Sequence, residues 1–581
     1  MQQDSDKSDD LNWLLNRIIV DGSTWQRNLA LLRFLLLDAG LVRDPLLFYA
    51  IFSSLSRSAL IFSINKTAST LATETLPILI LLASAVFTLF FSHITRIRSH
   101  MVIKRLQRNL RKAMSQRLMA ADVDFLLRQD KGQVYTVMTQ EIQEVSNSAI
   151  NLVEALQALL LLMICIPYLF WISWFSGVAT LVAVAIGASG YFFAELPARR
   201  LVERANDATA RFFDRVNDML SGWMEIRLRQ SRRRDLEQEI SETVDQVRNY
   251  SIEAERRFSS SQAFGQAALI SLMVAIVVLL PLLQGADSTT MFQVLTVVLL
   301  TSGPIEQIFN SLPRMARTVA SQKKISDVVV GLKSEQSGIQ LLDPGFTGKH
   351  FSTIELRDVV ARVGEGGRPG AEEEEAFELG PINLTLVAGE TVFVGGGNGA
   401  GKSTLVALIC GLRFPDSGQI LIDGVQVTPE NILEYRSLFS AVLSQFHLFR
   451  RTYGLGPDEI SVLDQQITRL GLHGRVAVQE DTFSTLGLSS GQRRRLALAI
   501  AIAESRPIIV LDEYAADQDP ASRAFFYSDL IPDLGQHGRM VLAVTHDEHN
   551  FSKCDRLIKM DAGQIVSDER MRKVVGAEDT V

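Results

Sequence analysis

The 581-residue sequence predicts an α-helical membrane domain with six crossings, joined to an α/β domain built around a phosphate-binding loop. Three observations carry this. Several uncharged runs are long enough to span a bilayer. The composition changes to a soluble α/β pattern after Gln322. A complete glycine-rich motif, Gly396-Gly-Asn-Gly-Ala-Gly-Lys-Ser, follows an apolar strand in the second part. A chain that is 47% hydrophobic is not a disordered polymer, and a net charge of −7 gives no reason to expect nucleic acid as a partner. Three scattered cysteines, Cys165, Cys410 and Cys554, are too few for a disulfide framework or a zinc site.

Taken in order, residues 1–44 read as a cytoplasmic tail and an amphipathic elbow, Leu11–Gly40, on the inner surface. The tail opens acidic, without the basic start of a cleaved signal peptide. Residues 45–322 hold the crossings. Pro45–Asn65 is interrupted only by Arg57, and Thr75–Thr95 carries no charge. Ala155–Ala194 is 40 residues long, enough for two crossings that turn near Trp171–Trp174. Phe258–Ala286 and Ser288–Ile305 complete the six. Soluble helices do not need uncharged runs of this length.

Basic residues near the helix ends set the orientation. From Arg96 to Arg117 there are eight basic residues and no acid, and the second long connection carries the cluster Arg232-Arg233-Arg234. Loops on the opposite side are short and poor in charge. Both long connections and both termini are therefore expected in the cytoplasm. The connections read as helices continuing beyond the bilayer, with tips at Met119–Gln133 and Ser221–Arg229 placed to touch a cytoplasmic domain. Residues 323–350 read as a linker and 351–581 as the nucleotide-binding domain. Residues 1–345 carry 35 basic and 32 acidic side chains and residues 346–581 carry 23 and 33, so the overall charge conceals an acidic second part.

The loop Gly396, Gly397, Asn398, Gly399, Ala400, Gly401, Lys402, Ser403, Thr404 lies between a strand and a helix, the setting in which backbone N–H groups cradle phosphates at a helix N-terminus. Lys402 is placed for the β/γ-phosphate oxygens and the Ser403 hydroxyl for Mg²⁺. The strand Ile508-Ile-Val-Leu-Asp512-Glu513 ends in two carboxylates, with Asp512 for Mg²⁺ and Glu513 for polarising the attacking water. ATP with Mg²⁺ is the expected ligand.

Between these elements stands Leu488-Ser489-Ser490-Gly491-Gln492, and here the sequence resembles the ATP-binding-cassette family and its signature LSGGQ, with Ser490 where the family usually has Gly. The resemblance implies an exporter-type fold in which this segment caps ATP held by the opposite subunit. It implies that Gln445 is the glutamine sensing Mg²⁺ and the membrane domain, that His546 contacts the γ-phosphate, and that Asp519 links the two ATP sites. One set of motifs and six helices then imply a dimer, most simply of two identical chains, with a heterodimer as the alternative. Where the family places an adenine-stacking aromatic residue, this chain has Val363, followed by the insert Gly364–Ala376 with four successive glutamates. Phe377 either folds back to stack or packs against its strand.

The phrase Asp512-Glu-Tyr-Ala-Ala-Asp-Gln-Asp-Pro520 resembles the bacterial cyclic-peptide exporters, which include syringomycin and pyoverdine-precursor exporters, with Tyr514 in place of their usual Trp. That resemblance implies export of a cyclic or modified peptide, or a siderophore precursor, to the periplasm. Import through the same fold, or a membrane ATPase that senses rather than transports, are the alternatives. Arg57 and Glu306 are the charged residues expected to face a cargo cavity or a partner helix, and Glu195 the interface. Pro167, Pro281 and Pro304 are candidate kinks.

Overall fold

A computed structural model describes residue 15 and residues 33–38, 44–69, 75–121, 131–285, 287–333, 351–363 and 377–571. The elbow, apart from residues 15 and 33–38, lies outside the described residues, as do the first tip at 122–130, residues 334–350 and the insert 364–376. The chain forms two compact units.

Among its described residues the membrane unit contains six long helices. They are α1 (Leu46–Ser69), α2 (Thr75–Met119), α3 (Ile142–Ile172), α4 (Trp174–Ser221), α6 (Gln230–Gln284) and α7 (Ser288–Lys333), with the short helix α5 (Trp223–Leu228) between α4 and α6. In a bilayer every backbone polar group must be satisfied within the chain, and a helix of apolar residues does this segment by segment. The hydroxyls within the spans return to carbonyls one turn back, as Ser54 does to Ala50, Thr180 to Ser176 and Thr301 to Val297, at 2.7–3.1 Å. At about 1.5 Å per residue, the 55 residues of α6 reach about 80 Å, well beyond a hydrocarbon core of about 30 Å. Among the described residues five helices carry apolar windows long enough to cross, and α4 adds the shorter apolar stretch Trp174–Gly190.

The 40-residue uncharged run divides at Ser173. Its extended backbone ends α3, and its hydroxyl accepts the Ser176 N–H at 3.3 Å to start α4. Gly285, in the left-handed region, ends α6, and the Asp287 carboxylate caps α7 through Thr290 N–H. Pro167 and Pro281 lie inside continuous helices. The last helix runs past Gln322 to Lys333, so part of the expected linker is helical.

The core of this unit joins Ile61, Leu161, Leu169, Ala183, Leu272, Ile276 and Val294 from five of the long helices. Asn65 ties α1 to α7 by donating to the Gln293 carbonyl at 3.2 Å. Beyond the apolar spans, a π-helical turn at Val137–Glu141 precedes α3. The Arg111 guanidinium of α2 donates to the Met138 and Thr139 carbonyls there, and Lys324 of α7 pairs with Glu141 at 2.6 Å. At the second tip, Gly222 and Arg229 bracket α5, whose Trp223, Met224 and Leu228 are exposed.

The second unit is an α/β fold. One sheet has β1 (Thr353–Val363), β2 (Phe377–Val387), β4 (Ser417–Ile422) and β5 (Val425–Gln426), in the order β2-β1-β4-β5. The other has β3 (Thr391–Gly396), β6 (Phe439–Val442), β7 (Ile508–Asp512), β8 (Met540–Val544), β9 (Arg556–Asp561) and β10 (Gln564–Arg570), in the order β10-β9-β3-β8-β7-β6. Strands β6, β7, β8, β3 and β9 are mutually parallel, and β10 closes the edge as a hairpin with β9. Every residue of β7 and β8 is buried, as expected of central parallel strands covered on both faces. Each such buried aliphatic side chain contributes about 1.5–3 kcal/mol relative to exposure. Three helices matter for the site: α8 (Lys402–Ile409), α9 (Ser490–Ala503) and α10 (Pro520–Phe525).

Candidate nucleotide site

Parallel register brings three strand ends to one edge. Val544 lies opposite both Asp512 and Val394, and Glu513 N–H donates to the Val544 carbonyl at 3.1 Å. The loop after β3, the carboxylates after β7 and the residues after β8 are therefore neighbours.

Two glycines show why the phosphate loop needs its composition. At Gly396 (φ +147°) a Cβ would lie 2.3 Å from the Met560 carbonyl oxygen. At Gly401 (φ +96°) it would lie 2.8 Å from Leu379 and 3.2 Å from the Phe377 ring. Gly401 caps α8, whose first residue is Lys402. The Lys402 ammonium, largely buried, donates to the Gly396 and Gly397 carbonyls at 3.0 and 2.8 Å, which curls the loop around it. Burial lowers its pKa, while the carboxylates of Glu513 and Asp512 oppose that shift. Asn398, Gly399 and Ala400 form the turn, and Ser403 and Thr404 follow in the first turn of α8.

Asp512 is 2% exposed. Its Oδ2 accepts the Ser403 hydroxyl and Ser444 N–H, both at 3.3 Å. Among the described residues its Oδ1 is buried without a hydrogen-bond partner. A buried, half-satisfied carboxylate beside a serine hydroxyl is a donor set that fits Mg²⁺. Gln445 follows Ser444 directly and is exposed, but the contact with Asp512 runs through the Ser444 backbone.

Glu513 occupies the left-handed region (φ +52°), a conformation that costs a non-glycine residue energy and is held here from several sides. His546 Nε2 lies 3.2 Å from Glu513 Oε1. Arg494 of α9 donates to the Glu513 carbonyl and pairs with Asp517 at 3.0 Å. The sequence reading missed Arg494 and Asp517. The signal available was the run Arg493-Arg494-Arg495, which cannot all face solvent on a helix packed against the core.

The signature segment forms a reciprocal cap on α9. The Ser489 hydroxyl accepts Gln492 N–H at 3.3 Å, and the Gln492 side chain accepts Ser489 N–H at 3.1 Å. Ser490 is the exposed first helical residue, and Gly491 packs on the Asp517 carbonyl while its own carbonyl accepts from Gln518. Among the described residues, the side chains of Leu488–Gln492 make no hydrogen bond to Lys402, Ser403, Asp512, Glu513 or His546. Asp519 caps α10 through Ser522 at 3.1 and 2.7 Å, and those hydrogen bonds hold its carboxyl below the usual range. Val363 pairs across the sheet with Phe377, whose half-buried ring packs on the core and on Gly401. Tyr514 is buried 4.7 Å from the Phe526 ring.

Fold and site together define a membrane-embedded, ATP-hydrolysing transport protein. Residues 379–516 match the family model described as ABC transporter, and residues 46–303 match that of the ABC transporter transmembrane region. The chain is 34% identical to the ATP-binding protein SyrD of Pseudomonas syringae pv. syringae over 402 residues, 67% of this chain and 70% of that protein. It is 29% identical to the ATP-dependent lipid A-core flippase of Burkholderia orbicola (strain AU 1054), covering 52% of this chain and about half (51%) of the flippase. Its fold matches the structure of a bacterial Atm1-family ABC exporter with ATP bound, at a TM-score of 0.75 and 16% identity, over 92% of this chain and 96% of that one. The chain belongs to the ABC transporter family, with the exporter-type membrane domain, and is an ATPase coupled to transport.

Proposed function

We propose that the protein is an ATP-driven exporter of a cyclic or modified peptide, working as a homodimer in the bacterial inner membrane with its termini and ATPase unit in the cytoplasm. The observation that carries the ATPase step is the meeting of Lys402, Ser403, Asp512, Glu513 and His546 at one sheet edge. In this reading Lys402 holds the β/γ-phosphate oxygens once the ligand replaces its contacts to the loop carbonyls. Ser403 and Asp512 would hold Mg²⁺, with Gln445 beside them, and the ion would neutralise phosphate charge. Glu513 accepts the proton of the attacking water, and His546 holds the Glu513 carboxylate in place and reaches the γ-phosphate.

The separation of Leu488–Gln492 from these groups supports a site completed by a second chain, with Ser489 and the N-terminus of α9 facing its ATP. Asp519 follows Gln518, whose side chain donates to the Gly491 carbonyl of that segment. The peptide cargo is supported by the phrase Tyr514–Pro520 and by the similarity to SyrD. The basic helical extensions support the orientation.

Inverted membrane vesicles carrying the protein test this reading. ATP-dependent accumulation of a cyclic peptide, abolished by Glu513→Gln, is the expected result. ATP hydrolysis without accumulation sinks the export assignment in favour of import or a sensing role.

A further inference from the structure

Two adjoining cavities in the membrane unit, of about 230 and 420 Å³, share Glu306, Asn310 and Arg314 of α7. The first is lined by α4, α6 and α7, the second by α1, α3 and α7. Between them they collect Arg57, Arg314, Arg317, Glu154, Glu255 and Glu306. Glu154 immediately precedes one uncharged run and Glu306 immediately follows another. The pair of cavities therefore lies at the end of the bundle from which the long charged extensions emerge.

Charges at or within a span are costly and ordinarily pair with one another. Among the described residues none of these six forms an ion pair, and Arg314 only donates to the Asn151 side chain at 3.1 Å. Three cations and three anions balance in net charge yet leave both signs available. Gln262, Gln266, Gln307 and Asn310 add carboxamides that donate and accept, as peptide amides do. Small residues keep the space open. Gly187 faces the Gly265 backbone, and among the described residues a Cβ on Gly265 would meet nothing within 4 Å.

We propose that these cavities form one binding site for a zwitterionic, amide-rich solute, a peptide carrying both a cationic and an anionic group. This rests on the export reading for its purpose, though not for its test. A ligand bearing one charge would leave the set of its own sign unmatched at the edge of the apolar spans, where an unpaired charge is costly. A zwitterion matches both.

The test uses the full chain in nucleotide-free lipid nanodiscs and four cyclic hexapeptides with one neutral fluorophore each. One ring carries one Lys and one Glu, one carries two Lys, one carries two Glu, and one carries neither. Fluorescence anisotropy is expected to show the mixed-charge ring binding about tenfold tighter than the others. Glu306→Gln should move the preference toward the two-Glu ring, and Arg314→Gln toward the two-Lys ring. Opposite shifts from two neighbouring positions on α7 are not what a general loss of structure produces. Gly265→Leu should weaken all rings by filling the first cavity.

Equal binding of the four rings overturns the proposal, as does no binding of any ring at millimolar concentration or an unchanged preference in both charge variants. That would follow if the six charges pair with a second copy instead. Mixed-charge binding that disappears when the disc lipid is changed from phosphatidylglycerol to phosphatidylethanolamine also overturns it, by identifying a zwitterionic headgroup as the occupant. Charge-selective binding without accumulation in inverted vesicles upholds the site and removes the export reading. Accumulation that ignores ring charge and Gly265→Leu does the reverse.

Discussion

The imidazole of His546 and the carboxylate of Glu513 lie 3.2 Å apart, although 33 residues separate them in sequence. Their meeting is a product of register, since β7 and β8 run in parallel with Asp512 opposite Val544 and each of the two side chains follows its strand end. Glu513→Gln should lower ATP turnover about 10²–10⁴-fold while nucleotide binding persists, because only the proton acceptor is lost. Phosphate release and nucleotide binding measured on the same preparation check this. Equal loss of both would assign Glu513 a structural role instead.

Lys402→Ala removes the cation that faces the phosphate loop and frees the Gly396 and Gly397 carbonyls it now holds. A charge-assisted hydrogen bond contributes about 1.5–3 kcal/mol, so ATP affinity should fall roughly 10- to 100-fold. Calorimetric titration of the full-length variant with a non-hydrolysable ATP analogue reads this directly.

Gly396→Ala sets a methyl group 2.3 Å from the Met560 carbonyl, a backbone atom of the adjacent strand β9 that cannot rotate away. The expected loss is about 1–3 kcal/mol of stability in the ATPase unit, seen as a lower melting temperature. The same change at Gly399, where a Cβ meets nothing within 4 Å, removes the clash and leaves only the cost of its positive φ.

Arg556 grips Asp568 with two hydrogen bonds of 2.6 Å across the β9–β10 hairpin, which holds the Asp568 carboxyl below the usual carboxylate range. A depressed folded-state pKa contributes stability that is present above the unfolded value, about 3.9. That contribution is lost as pH falls through the folded value. Asp568→Asn should therefore lower the melting temperature at pH 7 by more than at pH 3. Melting curves of both proteins across that range test the sign.

The sequence made the phosphate loop, the long apolar helices and the carboxylate pair legible because each is a local pattern whose chemistry resides in consecutive residues. The break at Ser173 was visible only as a region, since nothing but the backbone there distinguishes it from the serines that stay helical. Arg57 and Glu306 stood out separately as charges in apolar surroundings. That they line one cavity depends on α1 and α7 packing across nearly the whole membrane unit, which no local pattern encodes. The grip of Arg494 on the Glu513 carbonyl was hidden for a similar reason, because an arginine run looks the same whether it faces solvent or a backbone oxygen. Phe377 shows the reverse case. Its identity left stacking and packing both open, and only the Val363 register and the approach to Gly401 show the ring packed on the core.

The parallel alignment of β3, β8 and β7 has an evolutionary consequence. A conservative exchange of one aliphatic residue for another inside these strands leaves the alignment of their ends untouched, so the strands can drift in composition. A single inserted residue cannot be absorbed in the same way, because a one-residue slip in a strand turns every later side chain to the opposite face. In β8 such a slip would part His546 from Glu513 and Thr545 from the Val394 carbonyl at one stroke. Length variation in descendants of this chain should thus collect between β1 and β2, where 13 residues already separate Val363 from Phe377, and should be purged from the three central strands.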